Sequence, residues 1–78
     1  MDRVMRIYNF IKEFWPLIKN NINVPPDSDE QGWYSLIDQA NNLYEKHKSD
    51  DPEGRFFKNC ILAWLDYLND RNKEAKNG

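Results

Sequence analysis

The single histidine, His47, and the single cysteine, Cys60, are the residues of this chain best suited to nucleophilic or soft-metal chemistry. Such a pair works when the two side chains are within hydrogen-bonding reach and a third group orients the base. The spacing makes a catalytic Cys–His pair unfavourable. His47 ends one predicted helix and Cys60 lies two turns into the next, so the two side chains are at different heights in an antiparallel hairpin. We therefore expect no catalytic residue, and we interpret Cys60 as a core residue and His47 as a helix-terminal one.

Two clusters of acidic residues, in segments 27–30 and 50–53, have the ligand type that a cation needs. The first resembles the start of a calcium-binding loop, but the alternating ligands, central glycine and terminal glutamate of such a loop do not follow. Both clusters stand where predicted helices begin, so helix capping and favourable interaction with the helix dipole explain them. The sequence therefore predicts no metal site and no cofactor.

The first 24 residues carry four cations, Arg3, Arg6, Lys12 and Lys19, against two acids. They suggest a phosphate-contacting face, and a nucleic-acid-associated regulator that uses this basic helix is one alternative function. Residues 25–51 carry seven acids against two bases, and the net charge is −2. Because nucleic-acid binding needs a clustered cationic surface over the domain, we favour a partner that is not a nucleic acid.

Apolar side chains recur at helical spacing in three segments, which predicts an all-α fold. The predicted helices and the tail cover about 2–22, 29–48, 52–70 and 71–78. A short turn between the second and third helices makes them antiparallel neighbours. The tail holds no large apolar side chain, so we expect it to fray. The whole chain, 1–78, is predicted to be a single-domain three-helix bundle.

The first predicted helix has one apolar stripe that Phe10 and Leu17 widen on one side. The stripe comprises Val4, Ile7, Tyr8, Ile11, Phe14, Trp15, Ile18 and Ile22. Pro16 interrupts it, because proline removes a backbone hydrogen bond and disfavours helix at the residue before it. The sequence leaves two alternatives, one helix kinked near Pro16 or two helices that nearly touch.

The second and third predicted helices carry one apolar stripe each, preceded by capping residues. The second stripe comprises Trp33, Leu36, Ile37, Ala40, Leu43, Tyr44 and His47, and the third Phe56, Phe57, Cys60, Ile61, Trp64, Tyr67 and Leu68. Asp27 or Ser28 is predicted to cap the second helix, and Asp51 the third, with Pro52 in its first turn. Trp64 lies at the centre of the third stripe and is predicted to be a core residue.

Three apolar residues, Tyr34, Leu62 and Leu65, lie at the margin of these stripes or outside them. A bundle in which every helix touches two neighbours needs broad apolar faces, which is one way to bury them. Contiguous apolar surface that stays exposed marks a binding site for a partner. We predict that Tyr34, Leu62 and Leu65 form such a partner-binding patch.

Two aromatic segments carry a resemblance to other proteins. They read Gly32-Trp33-Tyr34-Ser35-Leu36-Ile37 with Ala40-Asn41 and Leu43-Tyr44, and then Ala63-Trp64-Leu65-Asp66-Tyr67-Leu68. They resemble short uncharacterised helical proteins encoded by phages and mobile elements of low-GC bacteria. The resemblance covers the second and third predicted helices. Such proteins commonly have no assigned activity. The resemblance therefore implies a biological setting and assigns no functional residue in this chain.

Together these patterns favour a cytoplasmic, non-enzymatic protein–protein interaction protein whose partner is a host or phage protein. In the phage or mobile-element setting it would be an accessory factor or an inhibitor of a host defence protein. The nucleic-acid-associated regulator stays open as an alternative, as does a homodimeric structural protein that buries Leu62 and Leu65. We expect no small-molecule substrate. No membrane association is expected either, because no run approaches the about 20 apolar residues that span a bilayer.

Overall fold

The computed structural model describes residues 2–23, 25 and 28–77, the last three by their backbone alone. Three helices follow one another, α1 (Arg3–Asn20), α2 (Glu30–His47) and α3 (Pro52–Asn77), and no strand occurs among the described residues. The predicted all-α three-helix bundle is confirmed.

The structure settles the continuity of α1 and moves the end of α3. α1 is a single helix that passes through Pro16, so the alternative of two separate helices is wrong. α3 continues to Asn77, so the tail predicted to fray from residue 71 is helical as far as residue 77. A lack of large apolar side chains does not end a helix when most of the residues present, here Arg, Lys, Glu and Ala in five of seven positions, are strong helix formers.

Aspartates cap all three helices. The side chains of Asp2, Asp29 and Asp51 accept hydrogen bonds from the backbone N–H groups of Val4 (3.3 Å), Gly32 (2.9 Å) and Gly54 (2.8 Å). The capping role of Asp51 is thereby confirmed. The prediction that Ser28 caps α2 is wrong, because Asp29 occupies the N-cap position. Asp27, the other predicted cap, lies outside the described residues.

The core is built around two aromatic rings from different helices. The rings of Phe10 and Phe57 stack with centroids 4.4 Å apart, and both side chains are almost completely buried. The remaining buried apolar residues are Leu17, Leu36, Ala40, Leu43, Ile61, Trp64 and Leu68. Trp64 is a core residue, as predicted, and its indole packs edge-on against the ring of Phe14.

The predicted core stripe of α1 is wrong by about a quarter turn. Phe10 and Leu17, which the sequence placed at its edge, are the buried residues of this helix. The other predicted positions are mostly exposed, namely Val4, Tyr8, Ile11, Trp15 and Ile22. The cause is a second stripe at the same spacing, Ile7, Phe10, Phe14 and Leu17, lying about 100° around the helix. Its phenylalanines join the aromatic cluster with Phe57, so this stripe faces the core.

The contacts between helices fix their directions. Arg3 pairs with Glu53 at 3.1 Å, Phe14 packs on Trp64, and Arg71 donates a hydrogen bond to the carbonyl oxygen of Ile22. Each contact joins positions about 50 residues apart, so later residues of the first segment meet later residues of α3. α1 and α3 therefore run parallel and side by side. α2 packs against both and runs in the opposite direction, because Glu13 of α1 contacts Lys46 whereas the later Asn21 bonds the earlier Gln39.

The corrected rotation of α1 makes a stability prediction. Phe10→Ala removes a completely buried ring and should lower the free energy of unfolding by about 3–5 kcal/mol. Tyr8→Ala is the matched control, because Tyr8 is 55% exposed and surface substitutions usually change stability by only about 0.5 kcal/mol. Urea unfolding followed by circular dichroism measures both. A larger loss for Tyr8→Ala than for Phe10→Ala would contradict the packing of α1.

Candidate interaction surfaces

The two residues suited to nucleophilic chemistry serve the fold. The imidazole of His47 packs edge-on against the stacked rings of Phe10 and Phe57, at centroid distances of 5.5 and 5.9 Å, and its Nε2 contacts the carboxylate of Glu13. Cys60 is half-buried against the core, and this burial raises the pKa of its thiol. A raised pKa reduces the thiolate fraction, the opposite of what an activated nucleophile needs. Within the described part of the chain, no three His, Cys, Asp or Glu side chains are arranged to hold a metal ion.

A first polar cluster joins α1 to the beginning of α3. The guanidinium of Arg6 donates to both carboxylate oxygens of Asp51, at 2.8 and 3.3 Å, and to the hydroxyl of Ser49 at 2.6 Å. Arg3 reaches Glu53 in the next turn. The hydrogen bond from Arg6 is the main reason why the pKa of Asp51 lies well below its ordinary value. Asp51 therefore both caps α3 and anchors α1.

Gly54 allows this cluster to close. A Cβ atom at Gly54 would overlap the backbone carbonyl oxygen of Ser49. The position needs glycine because the chain before α3 folds back onto the first turn of that helix. The same fold-back brings the hydroxyl of Ser49 within 2.6 Å of the carboxylate of Asp51.

A second polar cluster joins α1 to the end of α2. The carboxylate of Glu13 contacts the ammonium of Lys46 and the ring of His47. The hydrogen bond from Lys46 is the largest cause of the lowered pKa of Glu13, and His47 contributes in the same direction. With the first cluster, this contact holds α1 at two points along its length.

These clusters reduce the basic face predicted for α1. Arg3 and Arg6 are engaged by the carboxylates of Asp51 and Glu53. Only Lys12 and Lys19 of the four cations are exposed without an ion pair to another described residue. Lys12 and Lys19 are therefore the cations of α1 that no carboxylate of the described residues engages.

The predicted partner-binding residues lie on or beside an apolar groove between α2 and α3. Leu62 is 48% exposed and Leu65 half-buried, and both line a groove of about 290 Å³. Its walls also include Ile37, Tyr44, Lys58 and Ile61, and no residue of α1 lines it. Tyr34 is 69% exposed one turn before Ile37, so it lies beyond one end of the groove. We call this surface the α2–α3 groove.

A second and larger apolar surface lies along α1 and the adjoining side of α3. It comprises Val4, Tyr8, Ile11 and Trp15 of α1, Ile22 just after the end of α1, and Phe56 and Tyr67 of α3. The four α1 positions lie within about 40° of one line along the helix. We call these seven residues the α1–α3 face. They make up most of the eleven exposed large hydrophobic residues of the described chain.

The contacts at its two ends show that the α3 residues of this face lie beside α1. The guanidinium of Arg71 lies over the ring of Tyr67, 5.8 Å from its centroid, while it bonds the backbone of Ile22. At the other end Glu53, one turn before Phe56, pairs with Arg3. Sequence reasoning missed this surface because it assigned the outer stripe of α1 to the core. The sequence does contain a signal for this surface. The first helix has two apolar stripes, and because a helix of this bundle can bury only one of them, the other must be exposed.

No protein-family model, curated protein or solved structure matches this chain. None of the helices in the described residues is long and apolar enough to cross a membrane. The two apolar surfaces are therefore interpreted from their own residues.

The lowered pKa values of Glu13 and Asp51 predict loss of stability in acid. A carboxyl group whose pKa is lower in the folded than in the unfolded state stabilises the fold above its ordinary pKa, here 4.5 and 3.8, and loses that contribution as the pH falls further. We expect the thermal midpoint to fall from about pH 5 downwards. Glu13→Gln should lower the midpoint at neutral pH and make the acid-induced fall shallower.

Circular dichroism melts across this pH range measure the effect. Glu74→Gln is the control, since Glu74 is exposed and has no ion pair with another described residue. Equal acid profiles for Glu13→Gln and the unmodified protein would show that the contact with Lys46 and His47 does not stabilise the fold.

Proposed function

We propose that this protein is a non-enzymatic interaction protein that binds another protein through the α1–α3 face. The observation that carries the proposal is the exposure of seven large apolar side chains, six on two parallel helices and Ile22 just after the end of α1. Contiguous exposed apolar surface of this kind marks interaction sites in soluble proteins. The engagement of His47 in packing and the raised pKa of the Cys60 thiol support a function that does not depend on catalysis.

The spacing of the face favours a helical partner. Its four α1 positions are separated by four, three and four residues, the pattern by which one helix packs along another. Two parallel helices with apolar side chains on one side present a surface on which the apolar side of an amphipathic helix can pack.

The charges beside the face favour an acidic flank on that partner helix. Lys12 and Lys19 lie seven residues apart, so they occupy equivalent positions two turns apart on the same side of the α1 stripe. A partner helix with carboxylates at the same interval would pair with both. Neither lysine has an ion pair to another described residue, so both ammonium groups are available.

Trp15 is the natural anchor of this surface. It is 61% exposed near the middle of the α1 stripe, on a helix that two polar clusters hold in place. Tryptophan is enriched among the residues that dominate binding energy, and a rigid scaffold reduces the entropy lost on binding.

The proposal includes a biological setting. The resemblance of segments 32–44 and 63–68 to small proteins of phages and mobile elements supports an accessory factor or an inhibitor of a host defence protein, such as a nuclease, in the bacterial cytoplasm. A small protein that covers a helix of its target can act by occupancy alone.

Acidic substitutions on the α1–α3 face test the proposal. Trp15→Glu and Ile11→Glu should leave the helical spectrum and thermal midpoint nearly unchanged, because both residues are exposed. They should weaken partner binding by about thirtyfold or more, the loss expected for a buried interface anchor. Asn42→Glu, at an exposed position of α2 outside both apolar surfaces, is the control for adding a carboxylate.

The measurement begins with capture from an extract of the native host and ends with calorimetry on the purified partner. If all three variants retained the partner equally, the α1–α3 face would be excluded as its binding site. Binding to nucleic acid that weakens steeply with salt and is lost in Lys12→Glu would instead favour the regulator alternative.

A further inference from the structure

We propose that the α2–α3 groove is the interface of an antiparallel homodimer, in which Leu62 packs on Leu62 of the partner subunit. This inference goes beyond the binding of a foreign protein and uses a different surface. The groove is apolar along its floor, and Leu62 projects from it with half of its side chain exposed. A second helical layer placed on it would complete a four-helix arrangement with α2 and α3 of both copies at the centre.

The charges beside the groove identify the occupant. Lys58 and Asp66 lie four residues before and four residues after Leu62, on the same side of α3. They are eight residues apart, about 12 Å along the helix, and are too distant to pair with each other. Neither forms an ion pair with another described residue, although most charges near the helix junctions are paired.

A twofold axis at Leu62 satisfies both charges. An antiparallel second α3 places its residue 66 beside Lys58 and its residue 58 beside Asp66, because the two positions are equidistant from residue 62. Two ion pairs then flank the contact between the two Leu62 side chains. In one pair this copy supplies the lysine, and in the other it supplies the aspartate. Self-complementarity of this kind is what an interface between identical subunits requires.

The surrounding residues extend the same polarity. Arg55, one turn before Lys58, adds positive charge near the start of α3. Asp70, one turn after Asp66, adds negative charge towards the other end of α3. At the positive end the carboxylate of Glu45 is already paired with Lys48 at 2.7 Å. Antiparallel association therefore brings the acidic end of one copy against the basic end of the other.

The α1–α3 face lacks this symmetry. Its flanking lysines, Lys12 and Lys19, have the same sign, so a second copy would bring like charges together along α1. The α2–α3 side of the molecule also has enough area: the Cα atoms extend over 45 × 20 Å, and a stable interface of standard size buries about 800 Å² per partner.

Charge reversal with complementation tests the proposal. Analytical ultracentrifugation at low ionic strength should give twice the chain mass of 9.4 kDa for the unmodified protein, since salt screens exposed pairs. Lys58→Glu alone and Asp66→Lys alone each place like charges opposite one another, and each should weaken self-association by about tenfold or more. An equimolar mixture of these two single variants should form a heterodimer, because every cross-pair is then of opposite sign.

Controls separate the interface from folding and from the other surface. Glu74→Lys makes the same charge change as Asp66→Lys two turns further along α3, and Lys12→Glu makes the same change as Lys58→Glu on α1; both should leave the dimer intact. Circular dichroism confirms that each variant is folded. A monomeric unmodified protein, single variants that dimerise normally, or a mixture that stays monomeric would each overturn the proposal. The proposal would also be overturned if Trp15→Glu abolished the dimer while Lys58→Glu left it intact.

Discussion

The rotation of α1 about its own axis is the constraint on which the surface of this molecule depends, and the ring of Phe10 sets it. Phe10 is completely buried, stacked on Phe57 and in edge contact with His47, so it touches both other helices at once. Because α1 has two apolar stripes about 100° apart, seating Phe10 in the core leaves the other stripe in solvent. The same contact that completes the core thus creates the α1–α3 face.

Electrostatics reinforces this rotation at two separate levels. Arg6 binds Asp51 at the start of α3, and Glu13 binds Lys46 at the end of α2. Both α1 residues lie on the side of the helix away from the outer apolar stripe. Rotating α1 to bury that stripe would break both contacts, each of which contributes a modest stabilisation because its side chains are partly exposed. The paired charges therefore favour the observed rotation, which the burial of Phe10 sets.

The sequence predicted the helix count, the capping role of Asp51 and the burial of Trp64, because these follow from local spacing and local hydrogen bonding. It failed on the rotation of α1, since periodicity alone cannot choose between two stripes of similar hydrophobicity. The choice depends on ring packing between Phe10 and Phe57, 47 positions apart in the chain, and on ion pairs that cross equally long separations. Exposure of Leu62 was predictable from one helix; the face along α1 needed tertiary contacts.

The two apolar surfaces differ in symmetry, and this difference separates their proposed roles. No residue of α1 lines the α2–α3 groove, so association through the groove leaves α1 of each copy on the outside. A dimer would then present two α1–α3 faces pointing away from a common axis, each with lysines on its flank. Two faces in one assembly raise the effective concentration at a target that carries two copies of a helix. A dimer with two such faces would then bind a target that has two matching helices far more tightly than a single face allows.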